Sequence, residues 1–384
     1  MGHAENDYCD VFAISYVQVM SPTAVRLRSL WFQVHKWLGV TLAILVIPIS
    51  LTGAVLVWHD RVDEQINPQR YPEVTAPLLE PSAYAAAAKK IALPGERVTS
   101  IRLPEAKGAV EVVLTKPLPG GGRRTHARAW VDPNTAEPIE RAGSREGILS
   151  VFHVLHGSLM VPGIGRKIVG LIGVAMLISS LTGLWLWWPL KGSVRRGLRW
   201  NRRPDVNSNL HFQAGFWISL PLAVLSLTGM WISFPGFFGG VRGGPPGTGP
   251  AVLEQPNLSP EQAMAAARPL ARGSIASIAW PAEGSPQWTV TIKGDGKPRE
   301  ATVADSDASA ALVPLKPETL MRTMRRIHDG TGMPLAWRII IFVGGILPAL
   351  LAVTGILMWL RMRRRRERHR TSMAALAEAE ALAN

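Results

Sequence analysis

The chain contains one cysteine, Cys9. A single thiol cannot close a disulfide within the chain, ligate an iron–sulfur cluster or supply a CxxCH attachment. Any cofactor must therefore be held without covalent sulfur chemistry. Charge is missing as well, in four places. Trp37–Trp58, Ile168–Leu190, Leu210–Val241 and Ile339–Leu360 contain no Asp, Glu, Lys or Arg, and each is at least 22 residues long. About 20 helical residues cross the hydrocarbon core of a bilayer, so these runs read as four spanning helices in lipid. The first run is long and no small-residue cleavage site is evident after it, only Trp58-His59-Asp60, so a signal peptide is not expected. The first 19 residues, with Glu5, Asp7, Asp10 and Cys9, differ from the rest, and Met20 reads as the natural start.

The formal charge of +14 is concentrated at the ends of these runs. Arg26, Arg28 and Lys36 lie around the start of the first. Lys191, Arg195, Arg196, Arg199, Arg202 and Arg203 separate the second from the third. Arg361, Arg363, Arg364, Arg365, Arg366, Arg368 and Arg370 follow the fourth. With alternating helices all three groups fall on one side, which the positive-inside rule makes cytoplasmic together with both termini. Between Asp60 and His153 there are 13 basic and 12 acidic residues, so this outer segment is nearly neutral. Because each basic cluster abuts a membrane exit, a nucleic-acid partner is not expected.

The chain reads as a tandem duplication. His35 and His211 are 176 apart, as are Thr52 and Thr228; His156 and His328 are 172 apart, as are Thr182 and Thr354. "SIRLP" (Ser100–Pro104) matches "SIAWP" (Ser277–Pro281), and "VDPNTAEPI" (Val131–Ile139) resembles "VADSDASAALVP" (Val303–Pro314). Each unit leaves the membrane and returns, so the copies share an orientation and are related by a two-fold axis along the membrane normal, as parallel repeats are. Each outer segment reads as α+β. The first has a helix Ser82–Ile91 capped by Ser82, strands Val98–Leu103, Ala109–Lys116 and His126–Val131, and a turn at Asp132–Thr135. The second has a helix at Ser259–Arg268 with Ser259 as N-cap and Pro260 at N1, then strands Ile275–Trp280, Gln287–Lys293 and Arg299–Val303. Pro235–Pro250 is a Gly/Pro linker.

Four of the nine histidines become two facing pairs under this symmetry. His35 and His211 sit at the inner ends of their helices; His156 and His328 repeat the arrangement at the outer face, each ten residues before an arginine (Arg166, Arg338). The plain alternative is interfacial histidines marking the water boundary. Ionisable residues inside a bundle are functional hypotheses by default, and paired neutral imidazoles suit axial ligation of a b-type haem at each level. His153 and His59 break the symmetry and rank as auxiliary. "HVLH" (His153–His156) also has metal-ligand spacing, without an acidic cluster to complete it. His126 reads as a surface residue, and His3 and His369 lie in polar tails.

"SLTG" occurs at Ser50–Gly53, Ser180–Gly183 and Ser226–Gly229, with "AVTG" at Ala352–Gly355. Small residues let helices approach, or leave a slot for a flat macrocycle, and threonine can bond back to its own helix. Alternation puts Thr52-Gly53 and Thr228-Gly229 at the level of His156 and His328. It puts Thr182-Gly183 and Thr354-Gly355 at the level of His35 and His211. Generic helix packing is the competing explanation.

"WFQVHKWLGV" (Trp31–Val40), "VLHGSLMVPGIGRKIVGLIG" (Val154–Gly173), "SLTGLWLWWP" (Ser180–Pro189), "HFQAGFW" (His211–Trp217), "LTGMWISFP" (Leu227–Pro235) and "WVDPNTAEPI" (Trp130–Ile139) together resemble the PepSY-associated transmembrane proteins, also called iron-regulated membrane proteins or periplasmic siderophore reductases. "RRIHDGTGMP" (Arg325–Pro334) departs from the family pattern in the neighbours of His328. The resemblance implies four membrane helices, b haems and reduction of ferric siderophore on the periplasmic side of a bacterial inner membrane. The resulting layout is a tail 1–29, helices 30–59, 166–190, 210–236 and 338–361, PepSY-like outer domains 60–165 and 237–337 (the second with its linker), a basic loop 191–209 and a basic tail 362–384. Two haems b, at His35/His211 and His156/His328, would pass electrons to ferric siderophore docked against the outer domains. The electron donor is not named, since the chain has no flavin or nicotinamide fingerprint. A non-enzymatic module binding a periplasmic protein is the alternative from a different class. A transporter is disfavoured because the midplane lacks charge.

Overall fold

The computed structural model describes residues 22–116, 125–188, 195, 198–200, 205–238, 251–315 and 317–383. The N-terminal tail with His3 and Cys9, the basic residues Lys191, Arg196, Arg202 and Arg203, and linker residues 239–250 lie outside them. The chain divides into two units. A helical unit takes the chain up to Val57, Val154–Phe234 and everything from Met321 on; a sheet unit takes Trp58–His153 and Pro235–Leu320.

In the helical unit, α1 (Pro22–Val57), α5 (Gly165–Trp187), α6 (Val206–Ser233) and α9 (Leu335–Ala383) are each long and apolar enough to cross a membrane. Two shorter helices, α4 (Ile148–Ser158) and α8 (Leu320–Asp329), precede α5 and α9. α1, α6 and α9 contain Pro48, Pro221 and Pro348, which membrane helices tolerate because neighbouring groups re-satisfy the freed backbone. Two arginines close the ends of α1 and α6: Arg338 Nη2 donates to Val57 O at 2.9 Å, and Arg166 Nη2 to Ile232 O at 2.5 Å. Each supplies a cation and a donor to a helix C-terminus whose last carbonyls have no partner of their own. α9 runs on through the arginine-rich tail as one helix.

Close packing between helices is concentrated at other glycines. A Cβ on Gly345 of α9 would lie 2.7 Å from Ala54 Cβ and 2.8 Å from Ser50 O of α1. A Cβ on Gly173 of α5 would lie 3.3 Å from Ser226 O of α6. Matching positions in the two halves of the chain thus make matching contacts, α9 on α1 and α5 on α6.

The sheet unit holds α2 (His59–Ile66), α3 (Pro81–Lys90), β1 (Arg97–Arg102), β2 (Val110–Lys116), β3 (Thr125–Val131) and β4 (Pro138–Gly143) from the first segment. From the second come α7 (Pro260–Ala267), β5 (Ser274–Ala279), β6 (Gln287–Lys293), β7 (Arg299–Ala304) and β8 (Ala310–Leu312). The two segments do not form two separate domains. Their strands make one antiparallel sheet of order β4-β3-β2-β1-β5-β6-β7-β8. The junction is β1 against β5, with Ile101 opposite Ile278. An unpaired edge exposes a row of backbone donors and acceptors, and pairing the two edges satisfies both, as in Leu103 N to Ala276 O and Trp280 N to Thr99 O, each 2.9 Å.

Alternation along the strands sends Ile101, Val110, Val112 and Leu114 of one half, and Ile278, Trp288, Val290 and Ile292 of the other, into one core with Tyr84, Ala88, Ala263 and Ala267 of α3 and α7. α7 starts with a capping box of Ser259 and Gln262. The cap of α3 is Glu80 rather than Ser82; Pro81 takes the first helical position, which suits a residue with no N–H to satisfy. The Ser82 N–H instead meets Glu261 Oε1 of α7 at 2.7 Å.

Candidate functional site

The helical unit brings the four symmetry-matched histidines into two pairs. His35 of α1 and His211 of α6 have ring centroids 6.4 Å apart, and His156 of α4 and His328 of α8 have centroids 6.0 Å apart. On α1, His35 and Gly53 are 18 positions apart, about 27 Å of helical rise, and Gly53 contacts His156. The pairs therefore stand at two levels separated by nearly the thickness of a hydrocarbon core, about 30 Å.

Each imidazole is seated in one Thr-Gly pair of a neighbouring helix. In three seats Nδ1 meets the carbonyl three residues before the threonine: His156 with Ile49 O at 2.8 Å, His35 with Ser179 O at 3.0 Å and His328 with Leu225 O at 3.1 Å. His211 Nδ1 meets Thr354 Oγ1 at 2.9 Å, with the Leu351 carbonyl as a further partner. The threonine hydroxyls turn back on their own helices: Thr52 to Pro48 O, Thr182 to Ile178 O, Thr228 to Val224 O and Thr354 to Leu350 O, at 2.6–2.9 Å.

A carbonyl only accepts, so each Nδ1 that meets one carries the ring proton, and in a neutral ring the lone pair then sits on Nε2. Burial, reinforced by the neighbouring His156, lowers the His328 pKa to about 4, so that ring is neutral at physiological pH. In its neutral form each ring thus offers Nε2 as a donor atom of fixed tautomer.

The glycines make room for the rings. A Cβ on Gly53 would come within 2.6 Å of His156 Cε1. At Gly183 and Gly229 the distances to His35 and His328 Cε1 would be 3.0 Å, and at Gly355 the distance to His211 Cε1 would be 3.5 Å. The space beside each Thr-Gly pair is therefore taken by an imidazole edge, not by a neighbouring helix. The sequence offered close helix approach or a slot for a flat macrocycle; at these four pairs the small residue admits an imidazole edge.

A cavity of about 490 Å³ adjoins the first pair, lined by His35, His211, Gly183, Gly215 and Met176 among others. That size lies within the usual range of small-molecule sites, about 300–1,000 Å³. Trp187 and Phe216 stack at its edge with centroids 4.0 Å apart. Arg28, seven residues before His35, reaches the cavity and donates from Nη2 to Leu186 O at 2.5 Å.

His153 is exposed on α4, and His59 is exposed at the start of α2, its Nδ1 3.2 Å from Asp60 Oδ1; neither belongs to a pair. Among the described residues no three His, Cys, Asp or Glu side chains gather as a metal site, so "HVLH" finds no further ligands. His126 lies on β3 and His369 on the exposed end of α9.

Sequence reasoning missed the accepting carbonyls of Ile49, Ser179, Leu225 and Leu351, because every residue has a carbonyl and none stands out. It noted Arg28 only as an orientation signal. The heptad spacing from His35, which returns to the same helix face, was the available clue.

A family model described as PepSY-associated TM region matches residues 32–362. The chain matches no curated protein.

Proposed function

Since the chain belongs to the PepSY-associated TM region family and its helical unit carries two seated imidazole pairs, we propose that it is a b-type dihaem electron-transfer protein of the bacterial inner membrane. Its substrate is ferric iron bound in a siderophore on the periplasmic side. In this reading the chain is a tandem duplication with both termini cytoplasmic. His35 and His211 hold the inner haem, and His156 and His328 the outer one.

The observation that carries the proposal is the seating of the rings. The ring centroids of the two pairs lie 6.4 and 6.0 Å apart. Packed aromatic rings span a similar range, about 4.5–7 Å, so distance alone does not decide. The Nδ1 partners support the reading. A histidine that ligates metal characteristically donates its other N–H to a carbonyl or carboxylate, which fixes the tautomer and raises ligand basicity. His35, His156 and His328 have such an Nδ1 contact, and His211 Nδ1 meets the Thr354 hydroxyl with the Leu351 carbonyl as a further partner. Thr52, Gly53, Thr182, Gly183, Thr228, Gly229, Thr354 and Gly355 are then the second layer of both sites. The residues fit the group.

When bound, haem supplies one-electron chemistry between its ferric and ferrous states. The chain's own residues set where that chemistry happens. Neutral imidazoles would add no charge to the bilayer. The Thr-Gly seats hold each ring against rotation, and apolar side chains such as Val46, Leu222 and Leu351 keep water from the inner level. Ferrous iron binds hard oxygen ligands more weakly than ferric iron, so delivery of an electron to the siderophore loosens its cargo.

The test is direct. Purified protein, reduced with dithionite under argon and freed of excess reductant, is mixed with a ferric hydroxamate or catecholate siderophore. Reoxidation of the α-band with formation of trappable ferrous iron supports the proposal. A reduced spectrum that persists beside every ferric siderophore tried contradicts the assigned substrate.

A further inference from the structure

Among the described residues Arg28 is the one charged side chain lining the cavity beside His35 and His211. It lies two turns before His35 on the same face of α1, about 10.5 Å along the axis. Ser29 is next to it in the lining. In the other direction, beyond the histidines, Ala43, Val46, Leu222 and Ala352 line the cavity. The cavity is therefore cationic at one end and apolar at the other. A ligand that fills it must be flat or slender enough for a helix bundle, apolar through most of its body, and anionic at one edge.

The guanidinium is held in place. Arg28 Nη2 donates to Leu186 O at 2.5 Å and to Trp188 O at 3.4 Å, at the end of α5. Five N–H donors in a planar fork allow one side chain to serve these carbonyls and a carboxylate together. A carboxylate carried into the membrane without a cation is costly, and this is the cation the cavity provides.

We infer that Arg28 binds the carboxylate edge of the cofactor held by His35 and His211, namely a propionate of haem b, and so fixes which way round the macrocycle enters. The inference rests on the dihaem reading and adds a positioning residue to it. Arg28 then has two duties: it closes the end of α5 and it orients the cofactor. A purely structural role is limited to the first.

Blocked carboxylates separate the two. The full chain carrying His156→Ala and His328→Ala, which leaves the inner pair alone, is prepared without haem. It is titrated with haem b and with haem b dimethyl ester. With Arg28 present, the free acid binds about tenfold more tightly than the ester, as one charge-assisted hydrogen bond requires. Arg28→Met brings the two ligands within twofold of each other. Arg28→Lys, which keeps the charge and loses the fork, retains part of the preference and carries the comparison if the Met variant does not fold. Equal binding of acid and ester by the Arg28 protein, or an undiminished tenfold preference in both variants, overturns the inference while leaving the dihaem reading intact. An Arg28 protein that takes up neither ligand overturns both.

Discussion

Gly53 lies so close to the imidazole of His156 that a Cβ on it would stand 2.6 Å from Cε1 and 2.9 Å from Nδ1. The four Thr-Gly pairs differ in this clearance, and the difference orders a mutation series. Gly53→Ala must push the ring off the Ile49 carbonyl. Gly183→Ala and Gly229→Ala, at 3.0 Å, require smaller shifts, and Gly355→Ala, at 3.5 Å, requires none. Alanine favours a helix over glycine by about 1 kcal/mol, so thermal stability of the apoprotein does not fall in the same order. Haem retention after detergent washing is expected to fall most for Gly53→Ala, less for Gly183→Ala and Gly229→Ala, and not at all for Gly355→Ala. A flat series would mean that the imidazoles are not the ligands.

The threonines give an independent ordering. Thr354 Oγ1 itself accepts from His211, whereas Thr52 Oγ1 bonds only to Pro48 O and Ile49 O among the partners identified. Thr354→Val is expected to weaken the inner site about fivefold, the effect of one neutral hydrogen bond. Thr52→Val is expected to leave the outer site unchanged. Haem titration of the two apoproteins measures both.

Loss of one histidine pair should spare the other. His35→Ala or His211→Ala removes the donor pair at one level, about 27 Å of helix away from the other. Redox titration monitored at the α-band should then show one component in place of two. Loss of both components, or of neither, would contradict two independent levels.

The sheet unit carries a pH prediction of its own. Burial pushes the Asp305 carboxyl up, but it accepts from the backbone N–H groups of Asn257 and Leu258 and from the Trp288 indole, and these outweigh burial and hold its pKa below the ordinary value of 3.8. A lowered folded pKa means that the stabilisation is complete well above the unfolded value. It is lost as the pH falls through 3.8 toward the folded pKa. Hydrogen-exchange protection in β6 and β7 of the full chain, taken relative to the intrinsic rate at each pH, should fall below about pH 4. Asp305→Asn should exchange faster than the parent at pH 7 and show less of this acid dependence.

Much of this architecture was legible in the sequence because it rests on long-range periodicity. Absence of charge over 22 residues or more marks a spanning helix whatever its neighbours do, and the 176 and 172 offsets matched histidines that the structure brings face to face. What escaped was decided by tertiary pairing. β4 (Pro138–Gly143) and β8 (Ala310–Leu312) lack a clean apolar alternation and exist because β3 and β7 offer them an edge. Nothing local in "SIRLP" or "SIAWP" shows that Ile101 and Ile278 would meet and merge two expected domains into one sheet. The roles of the Ile49 and Ser179 carbonyls were invisible for the same reason: a backbone acceptor becomes specific only when a glycine nearby lets a ring approach it.

Haem content tests the central claim most directly. The pyridine haemochrome of protein expressed with ample haem, divided by protein concentration from amino-acid analysis, should give two haems b per chain, and a low-spin spectrum should place both irons between imidazoles. A colourless protein, or a spectrum showing a single high-spin haem, would contradict the account.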